Sequence, residues 1–571
     1  MTPMGIPTVS DRYDQLEVER FYASGYWGKE TLGDVLARQA GALGGKTFIT
    51  DGKVSMTYRE AHEISLRLAV GLRARGVRAG DRVAVQMPSW AEFAVIVAAI
   101  ARLGAVAVPI MPIYRRDEVG HVLDDADVKV VFTASTFKGF DHLGMFRNLA
   151  AERPALHSIV VLRDDTAALA SEDHRPGSGA DVLPLSAVSA DIEPSLAEAR
   201  LGSPVGPDDP FVIVYTSGTT ARPKGCLHTF NTYASGARAL GEAFGYTERD
   251  VQFGPSPITH TTGLVTSVLL PLLHGGATHV MPEWEPVRGL AEIARYRCSV
   301  TVAATTFLQM ALDAYDPDRH DASCLRVWVS AGAPIPRSIV ERARTLFPDT
   351  RVLSLYGRSE NLTTTTCTVD DDPERALTSD GSALPFSEVR IVDLVGEPVP
   401  AGTEGDIAYK GPSHMLGYLG RPDDTAALFT PDGFSRSGDL GVMDADGFVR
   451  VTGRTKDIVI RGGMNISVRE IEDLLAAHPA IHSVAVVAMP DERLGERACC
   501  YIVPADPGSP PTLASLKEYL QERGIALQKT PEHLEILEAM PMTATGKIQK
   551  HVLRKDIAEK AGRLAGVPAG R

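Results

Sequence analysis

The sequence predicts an α/β fold. A large N-terminal domain holds two βα-rich subdomains and a β-rich subdomain, and a small α+β C-terminal domain follows. Helical and strand-like segments alternate between Ser55 and Thr136, and a second βα-rich region extends to about Ala376, which is typical of parallel sheets. Short strands separated by turns dominate Glu388–Val451. The pattern changes again after Arg454, so we place the main domain boundary near Gly453–Asp457.

Apolar residues at three- and four-residue spacing predict helices, and short apolar runs between them predict strands. The first subdomain is predicted to contain helix Tyr58–Arg75, strand Arg82–Met87, helix Ala91–Leu103, strand Ala105–Ile110, helix Glu118–Ala126 and strand Val128–Thr133. The C-terminal domain is predicted to contain helix Ser467–Ala477, strands Ser483–Met489 and Ala498–Val503, and helix Thr512–Glu522. Asp164–Asp209 is rich in Asp, Ser, Pro and Gly, and we interpret it as a surface connection.

The composition argues against several classes of protein. The 571 residues are 44% hydrophobic, which argues against extensive disorder, and the net charge of −14 argues against general nucleic-acid binding. Six scattered cysteines without a CxxC pair indicate reduced thiols of a cytoplasmic protein. The N-terminus does not have the pattern of a secretory signal. The most apolar stretch, Phe93–Ile113, is interrupted by Arg102, Gly104 and two prolines, so we expect a buried helix and strand and no membrane insertion.

The most informative segment is Phe211–Gly225, FVIVYTSGTTARPKG. An apolar strand leads into small hydroxyl residues around Gly218, and Lys224 follows. Backbone N–H groups and hydroxyls in such a loop can converge on phosphate oxygens, and the lysine adds a positive charge. A Ser/Thr-rich hairpin turn is the alternative interpretation. The segment is not a Walker A loop, because no GxxxxGK followed by Ser or Thr occurs.

This loop resembles the signature of the adenylate-forming superfamily of acyl-CoA synthetases, adenylation domains and luciferases. Further motifs of that family follow in order: Gly332–Pro334, YGRSE at Tyr356–Glu360, SGD at Ser437–Asp439, Gly453–Arg454, Ile460–Glu472 and TATGK at Thr543–Lys547. Ser replaces the family's usual Thr at Ser359 and Ser437. Ala221, Leu227–His228 and Asn231–Thr232 resemble the cyclohexanecarboxylate-type acyl-CoA ligases.

The resemblance implies that ATP and coenzyme A are co-substrates and that Mg²⁺ is the metal cofactor. It also implies that the reaction passes through an acyl-adenylate intermediate. The catalytic residues it implies are Lys547, Lys224 and Glu360. It assigns nucleotide binding to Thr216, Ser217, Gly218, Thr219, Thr220, Lys224, Gly332, Ala333, Pro334, Tyr356, Gly357, Ser359, Asp439 and Arg454. Glu360 is a hard oxygen ligand suited to Mg²⁺, with Thr216 as its partner. Asp439 can accept hydrogen bonds from both ribose hydroxyls, Arg454 can bind the same ribose, and the flat ring of Tyr356 can cover the adenine.

The family also alternates between two domain orientations. By resemblance, residues 1–453 form the adenylation domain, 454–457 the hinge with Lys456 as pivot, and 458–571 a mobile domain that carries Lys547. Gly462 and Gly463 match the loop that reaches the coenzyme A tunnel, where missing side chains allow close approach. A simple turn is the alternative interpretation of these two glycines.

The acyl pocket is expected to include His260, Thr261, Gly263, Thr305, Phe307 and Ala331. Pro257–Leu264 contains no Asp or Glu, which favours an acid without an amino group, since a buried ammonium would lack a partner. Thr and Ala with few aromatics suggest room for a bulky apolar, alicyclic or fatty acid.

Three alternatives to a CoA ligase stay open from the sequence. One is a stand-alone adenylating ligase that passes its acyl group to an acyl carrier protein or a partner enzyme. Another is a luciferase-like oxygenase. The third is a catalytically silent acyl or nucleotide sensor, although Glu360 and Lys547 are retained. A homodimer is a further expectation.

Overall fold

The computed structural model describes residues 6–164, 180–201, 205–216, 222–332, 335–454, 457–543 and 547–564. Four sheets and their helices carry the architecture, and a two-stranded ribbon adds to them. The predicted alternation of helices and strands is confirmed, with element ends that differ by one or two residues in the first subdomain.

The first sheet has eight strands. In spatial order they are Gly417–Tyr418, Lys224–Thr229, Pro210–Thr216, Val106–Ile110, Arg82–Gln86, Val128–Ala134, Ser158–Leu162 and Asp181–Pro184. The six strands from Pro210–Thr216 to Asp181–Pro184 pair in parallel, and the first two are antiparallel additions. Its associated helices are Tyr58–Ala74, Glu92–Arg102, Arg116–Asp125 and His142–Ala151.

Residues 181–201 lie largely at the surface, as predicted for Asp164–Asp209, but they form regular elements that the prediction of a connection did not include. Asp181–Pro184 forms the edge strand of the first sheet, with Ser158 paired to Asp181, and helices Leu185–Val188 and Pro194–Leu201 follow. A few apolar side chains at wide spacing, such as the buried Val188 and Ala197, anchor this segment. They are too few to produce a periodic signal. Residues 165–179 and 202–204 lie outside the described part of the chain.

The second sheet has nine strands. Their order is Ser382–Ala383, Thr365–Thr366, Arg351–Tyr356, Val327–Ala331, Val300–Ala304, Val251–Gly254, Ala277–Val280, Thr47–Thr50 and Ser55–Thr57. Helices Phe230–Ala243, Pro286–Tyr296, Thr305–Ala314 and Arg337–Leu346 connect or cover these strands. Apolar residues of helices Tyr58–Ala74, Glu92–Arg102 and Phe230–Ala243 form one continuous core between the two large sheets. Because helix Glu92–Arg102 is almost entirely buried, its sequence is apolar on every face.

The third sheet is antiparallel and contains Glu388–Val392, Gly405–Lys410, Ser435–Met443 and Val449–Arg454. This confirms the predicted β-rich segment. The fourth sheet begins after the predicted boundary and contains Met464–Ile466, Val459–Arg461, Gly495–Pro504, Ile481–Asp491 and His533–Ile536. Helices Val468–Ala476, Leu513–Glu522 and Lys550–Leu564 pack with it around separate apolar clusters.

The remaining elements are short or peripheral. They are helices Val9–Arg12, Gln15–Ser24, Leu32–Leu43, Thr261–Gly263, Leu270–His274, Arg375–Thr378 and Pro422–Ala426, the π-helical turn Leu264–Leu269, the 3₁₀ turn Leu527–Lys529 and the ribbon Thr136–Phe137 with Phe140–Asp141. All six cysteines are free. Among the described residues, no helix is both long and apolar enough to cross a membrane.

Candidate active site

Four neighbouring parallel strands of the nine-stranded sheet end at the same edge. They are Arg351–Tyr356, Val327–Ala331, Val300–Ala304 and Val251–Gly254. A segment singled out in the sequence follows each of them, namely 357–360, 332–334, 305–307 and 257–263. Ligands of parallel sheets bind at the carboxyl ends of the strands. The topology thus brings to one edge the predicted nucleotide and acyl residues that directly follow these four strands.

Lys547 of the C-terminal domain reaches this edge. Gly332 has a φ of +80°, and a Cβ atom at this position would lie 2.7 Å from Cε and 3.3 Å from Nζ of Lys547. Burial and the nearby Arg454 lower the pKa of Lys547 to about 8, while Asp439 and Glu360 act in the opposite direction. The ammonium group therefore lies among the predicted nucleotide and metal residues. Ala333 and Pro334 lie outside the described residues.

Asp439 is the centre of a second cluster. Its two carboxylate oxygens accept a hydrogen bond of 2.6 Å from the Tyr356 hydroxyl and a 2.8 Å ion pair from Nε of Arg454. Antiparallel register places Arg454 directly opposite Asp439 in the third sheet. Burial and the adjacent Asp439 raise the pKa of Tyr356, so its hydroxyl stays protonated and remains a donor. Both residues predicted to contact ribose thus meet beside Tyr356.

Glu360 is held from several sides. The Tyr418 hydroxyl donates a 2.7 Å hydrogen bond to its Oε1, and the backbone N–H of Met415 donates to its carbonyl oxygen at 2.8 Å. The preceding Ser359 carbonyl is 2.8 Å from Nε2 of the buried His228, which stays neutral because burial lowers its pKa to about 4. Gly357 lies against Leu362, whose carbonyl oxygen would be 2.0 Å from an added Cβ.

Lys224 begins a strand that pairs antiparallel with Pro210–Thr216, with Thr216 opposite Lys224. The two strands that flank the predicted hydroxyl loop are therefore antiparallel neighbours. Residues Ser217, Gly218, Thr219 and Thr220 lie outside the described part. The Lys224 ammonium pairs with Asp424 at 3.0 Å and lies 5.1 Å from the centre of the Tyr418 ring.

His260 caps the short helix that follows strand Val251–Gly254, with its Nδ1 accepting from the N–H of Thr262 at 3.4 Å. Burial and the charge of Lys547 lower its pKa to about 4, so the imidazole is neutral at physiological pH. Thr261 is buried and its hydroxyl donates to the Ser359 hydroxyl at 3.4 Å. Gly263 is required by packing, since an added Cβ would lie 2.2 Å from the Pro257 carbonyl oxygen.

Of the other three predicted pocket residues, Ala331 ends its strand, and Thr305 and Phe307 lie on helix Thr305–Ala314, which directly follows the neighbouring strand. The Ser330 hydroxyl donates a 3.1 Å hydrogen bond to the hydroxyl of Thr305, and Ala331 is the last residue of its strand before Gly332. Phe307 stacks on Trp284 at a ring distance of 5.1 Å and belongs to the core beneath the helices of this sheet. Thr305 and Ala331 are therefore at the edge, whereas the Phe307 ring packs into the helix layer.

The predicted coenzyme A loop is an exposed hairpin turn. Gly462 and Gly463 have φ values of +56° and +85° and join strands Val459–Arg461 and Met464–Ile466. The N–H of Gly462 donates to the Leu494 carbonyl at 2.7 Å, a contact inside the C-terminal domain. Lys547, and not this turn, is the part of the C-terminal domain that the structure brings to Gly332. The predicted hinge residue Lys456 lies outside the described residues.

Sequence reasoning missed several residues of this site, above all Tyr418, Asp424 and Arg358. Arg358 lies inside the YGRSE motif, and its two terminal nitrogens donate to the Arg436 carbonyl and the Ser435 hydroxyl. Its position in that motif was a usable signal. Tyr418 and Asp424 belong to no local pattern, because they join the site through the strand pairing of Tyr418 with Cys226.

The donor set fits a magnesium ion held mainly by substrate oxygens. The described residues contain no group of three or more His, Cys, Asp or Glu side chains arranged to hold a metal. Glu360 supplies a carboxylate fixed by Tyr418, and Thr216 supplies a hydroxyl at the end of its strand. Mg²⁺ keeps much of its shell for water and phosphate and commonly takes only one or two carboxylates.

The chain is similar to known proteins over most of its length. Family models described as "AMP-binding enzyme" and "AMP-binding enzyme C-terminal domain" match residues 36–419 and 470–547. The medium-chain fatty-acid–CoA ligase of Escherichia coli is 35% identical over 94% of this chain and 92% of its own.

Two further proteins widen the range of acids. The 3-[(3aS,4S,7aS)-7a-methyl-1,5-dioxo-octahydro-1H-inden-4-yl]propanoyl:CoA ligase of Rhodococcus jostii is 32% identical over 92% of this chain and 98% of its own. Among solved structures, the anthranilate CoA ligase AuaEII in complex with anthranoyl-AMP superposes with a TM-score of 0.81 at 25% identity, covering 95% of this chain and 99% of that one. The similar proteins therefore include enzymes named for fatty, alicyclic and aromatic acids.

Proposed function

The chain belongs to the AMP-binding enzyme family, and from that premise we propose that it activates an apolar carboxylic acid that carries no amino group. The protein is an ATP-dependent, AMP-forming acid–thiol ligase, which joins a carboxylic acid to coenzyme A through an acyl-adenylate. The observation that carries the assignment of its residues is the approach of Lys547 to Gly332 beside Asp439 and Glu360.

In the first half-reaction, a carboxylate oxygen of the acid attacks the α-phosphorus of ATP, and the bond to pyrophosphate breaks with its electron pair leaving on pyrophosphate. The Lys547 ammonium stabilises the negative charge that develops on the α-phosphate. Asp439 and Arg454 orient the ribose, and Tyr356 covers the adenine while it fixes Asp439. Lys224 and the loop 216–220 hold the outer phosphates. Mg²⁺, held by Glu360 and Thr216, would neutralise phosphate charge when bound.

In the second half-reaction, the sulfur of coenzyme A attacks the acyl carbonyl, the bond to AMP breaks, and the thiol loses its proton. We propose that the C-terminal domain turns at 454–457, with Lys456 as pivot, so that Lys547 leaves and the Gly462–Gly463 turn arrives. The exposure of this turn and its lack of a Cβ support the second role. The described orientation is the one suited to adenylation, because Lys547 is at the site.

The charge and hydrogen bonding of the acyl segments support an apolar acid. Segments 255–264, 301–308 and 327–334 contain no Asp or Glu, so an ammonium group on the substrate would have no carboxylate partner there. The hydroxyls of Thr261 and Thr305 are occupied by Ser359 and Ser330. Each hydroxyl thus already has a protein partner. A neutral His260 closes the side nearest Lys547 without adding charge.

A pyrophosphate-release screen tests the substrate class. Alicyclic, medium-chain fatty, aromatic and terpenoid acids are compared with an α-amino acid of matched carbon skeleton at equal concentration. We expect the highest kcat/KM among the apolar acids, and at least about tenfold discrimination against the amino acid, because its charged amine would be buried unpaired. Preference for the amino acid would refute the proposal.

Lys547→Ala tests the division of labour between the half-reactions. ATP–pyrophosphate exchange should fall by about 100-fold or more, whereas thioester formation from preformed acyl-AMP should remain near the wild-type rate. Lys555→Ala, which removes an exposed lysine of the following helix, is the matched control and should leave both rates unchanged. Equal losses in both half-reactions would exclude the proposed role of Lys547.

The use of a second acceptor and the assembly state also belong to this proposal. We infer that coenzyme A is preferred to a holo acyl carrier protein, the acceptor in the natural-product alternative. Offering both acceptors to enzyme charged with acyl-AMP distinguishes them through the rate of AMP release. Light scattering coupled to gel filtration tests the expected homodimer.

A further inference from the structure

A buried arginine lies at the joint between the two domains without a hydrogen bond from its guanidinium group. Arg469 is on the first turn of helix Val468–Ala476, and only 8% of its side chain is exposed. Within the described residues, none of Nε, Nη1 and Nη2 has a hydrogen-bond partner. A guanidinium has five donors, and leaving them unpaired away from water is costly. This residue therefore requires an explanation beyond packing.

The charge that faces Arg469 across the domain boundary is Asp380. Its Oδ2 lies 3.7 Å from Nη2 of Arg469, and only 5% of the Asp380 side chain is exposed. Asp380 is fixed to the N-terminal domain, since it accepts hydrogen bonds from the Ser354 hydroxyl at 3.1 Å and from the N–H of Val451 at 2.9 Å. The Asp380 carboxylate is thus held in place by the N-terminal domain, whereas Arg469 belongs to the C-terminal domain, which carries Lys547.

Two more charges complete the cluster. Asp473, one turn further along the same helix, lies 3.5 Å from Nε of Arg469 and 3.7 Å from Arg450. Burial raises the pKa of Asp473, against the effect of the two arginines. Each domain thus supplies one carboxylate and one arginine to the cluster. Asp380 and Arg450 belong to the N-terminal domain, and Arg469 and Asp473 belong to the C-terminal domain. Both ion pairs across the domain boundary, Arg469 with Asp380 and Arg450 with Asp473, have a distance of 3.7 Å.

The cluster spans the segment at which the domains would turn. Val451 and Arg450 belong to the last strand before residue 455, and the Ser467 hydroxyl donates to the Thr452 carbonyl at 2.9 Å. A rotation that carries Lys547 away from Gly332 moves Arg469 relative to Asp380. A buried ion pair of this kind contributes little net stability, because desolvation offsets attraction, yet removing one partner leaves an uncompensated charge. Its effect is to favour one arrangement of the two domains over others.

We propose that the Arg469–Asp380 pair fixes the domain orientation in which Lys547 reaches Gly332, which makes Arg469 a positioning residue for adenylation. The inference rests on the proposed function, since it assumes that Lys547 acts in the first half-reaction alone. It identifies a control on the reaction that lies outside the substrate-binding residues. Loss of the pair shifts the population of domain orientations without altering any group that touches substrate.

The test compares the two half-reactions in Arg469→Met and Asp380→Asn. Met keeps the apolar length of the side chain, and Asn keeps an oxygen that can accept from Val451. In both variants, ATP–pyrophosphate exchange should fall by about tenfold or more: Arg469→Met leaves the buried Asp380 without this counter-charge, and Asp380→Asn leaves Arg469 with Asp473 of its own helix and no carboxylate of the N-terminal domain. Thioester formation from preformed acyl-AMP should be unchanged or faster. Arg469→Lys should retain most of the exchange activity, and the double variant Arg469→Met/Asp380→Asn should lose less than the sum of the two changes.

Arg342→Met is the matched control, because Arg342 forms an exposed ion pair with Asp313 inside the N-terminal domain. It should leave both half-reactions unchanged. Equal loss of both half-reactions in Asp380→Asn, or additive effects in the double variant, would overturn the inference. Lys547→Ala in the same assays separates the two proposals. If it affects adenylation alone while Arg469→Met affects both steps equally, only the positioning role fails; if it affects both steps, the proposed function fails.

Discussion

Gly332 and Lys547 are in contact across the domain boundary, so close that no side chain fits between them. The φ of +80° at Gly332 lies in the left-handed region, and an added Cβ would be 2.7 Å from Cε of Lys547. This contact links a strand end of the nine-stranded sheet to a residue more than two hundred positions later. Glycine therefore suits this position for two reasons: its backbone conformation, and the approach of Lys547, which an added methyl group would have to displace.

Gly332→Ala should impair adenylation more than the second half-reaction. The new methyl group displaces Lys547, and displacement of a catalytic group by about 1 Å can cost about 100-fold in rate. ATP–pyrophosphate exchange should fall by about that factor, with thioester formation from preformed acyl-AMP reduced by less than about fivefold. The measurement is the ratio of the two rates in one preparation.

The control for backbone strain is Gly76→Ala. Gly76 has a φ of +91° and no atom within 4 Å of an added Cβ, so the substitution costs left-handed strain alone, about 1 kcal/mol. It should lower the melting temperature slightly and leave the ratio of half-reactions unchanged. A comparable change in that ratio in Gly76→Ala would show that the effect at Gly332 arises from strain and not from Lys547.

The rate of adenylation should decrease above neutral pH. Lys547 has its pKa lowered to about 8, so its ammonium form is complete at pH 6.5 and is lost as the pH rises through 8. The kcat/KM for ATP in pyrophosphate exchange, which reports the free enzyme, should therefore show an alkaline limb with a midpoint near this value. Thioester formation should increase over the same range, because the coenzyme A thiolate becomes more abundant. A flat exchange profile up to pH 9.5 would contradict the proposal.

Local periodicity is sufficient to predict the elements of the first subdomain. Helix Tyr58–Ala74 and strands Arg82–Gln86 and Val106–Ile110 follow from regular apolar spacing. Pairings between distant segments leave no such signal. Thr47–Thr50 joins the nine-stranded sheet beside Ala277–Val280, and a sequence pattern does not specify a partner more than two hundred residues away.

The same difference between local motifs and distant pairings applies to the residues of the active site. Lys547, Gly332, Asp439 and Arg454 were found because each lies in a short motif, and the structure brings them together. Tyr418 was not found, since its position depends on pairing with Cys226 in an added antiparallel strand. A residue that positions a motif only through a tertiary contact cannot be identified from a single sequence. This holds even for Tyr418, which donates a hydrogen bond to the Glu360 carboxylate.

Tyr418→Phe should raise the magnesium requirement. The lost hydroxyl donates a 2.7 Å hydrogen bond to Glu360, and a hydrogen bond to a charged group contributes about 1.5 to 3 kcal/mol. The Mg²⁺ concentration that gives half-maximal exchange should rise by about tenfold, whereas Glu360→Gln should have a larger effect. Tyr26→Phe removes a 2.6 Å hydrogen bond to Glu242, a tyrosine–carboxylate pair outside this site, and should leave the magnesium dependence unchanged. Equal shifts of the half-maximal Mg²⁺ concentration in Tyr418→Phe and Tyr26→Phe would exclude a specific role for Tyr418.

Asp424→Asn should strengthen ATP binding. Lys224 pairs with Asp424 at 3.0 Å in the described state, and this ion pair competes with the phosphates that we assign to Lys224. A partly exposed ion pair is worth at most about 1 kcal/mol, so the Kd for ATP should decrease by about two- to fivefold. Asp423→Asn, on the exposed neighbouring residue of the same short helix, changes net charge equally and serves as the control. Isothermal titration in 0.15 M salt should show a difference between the two variants that becomes smaller at higher ionic strength, because salt screens the competition. Identical Kd values would mean that Asp424 does not restrain Lys224.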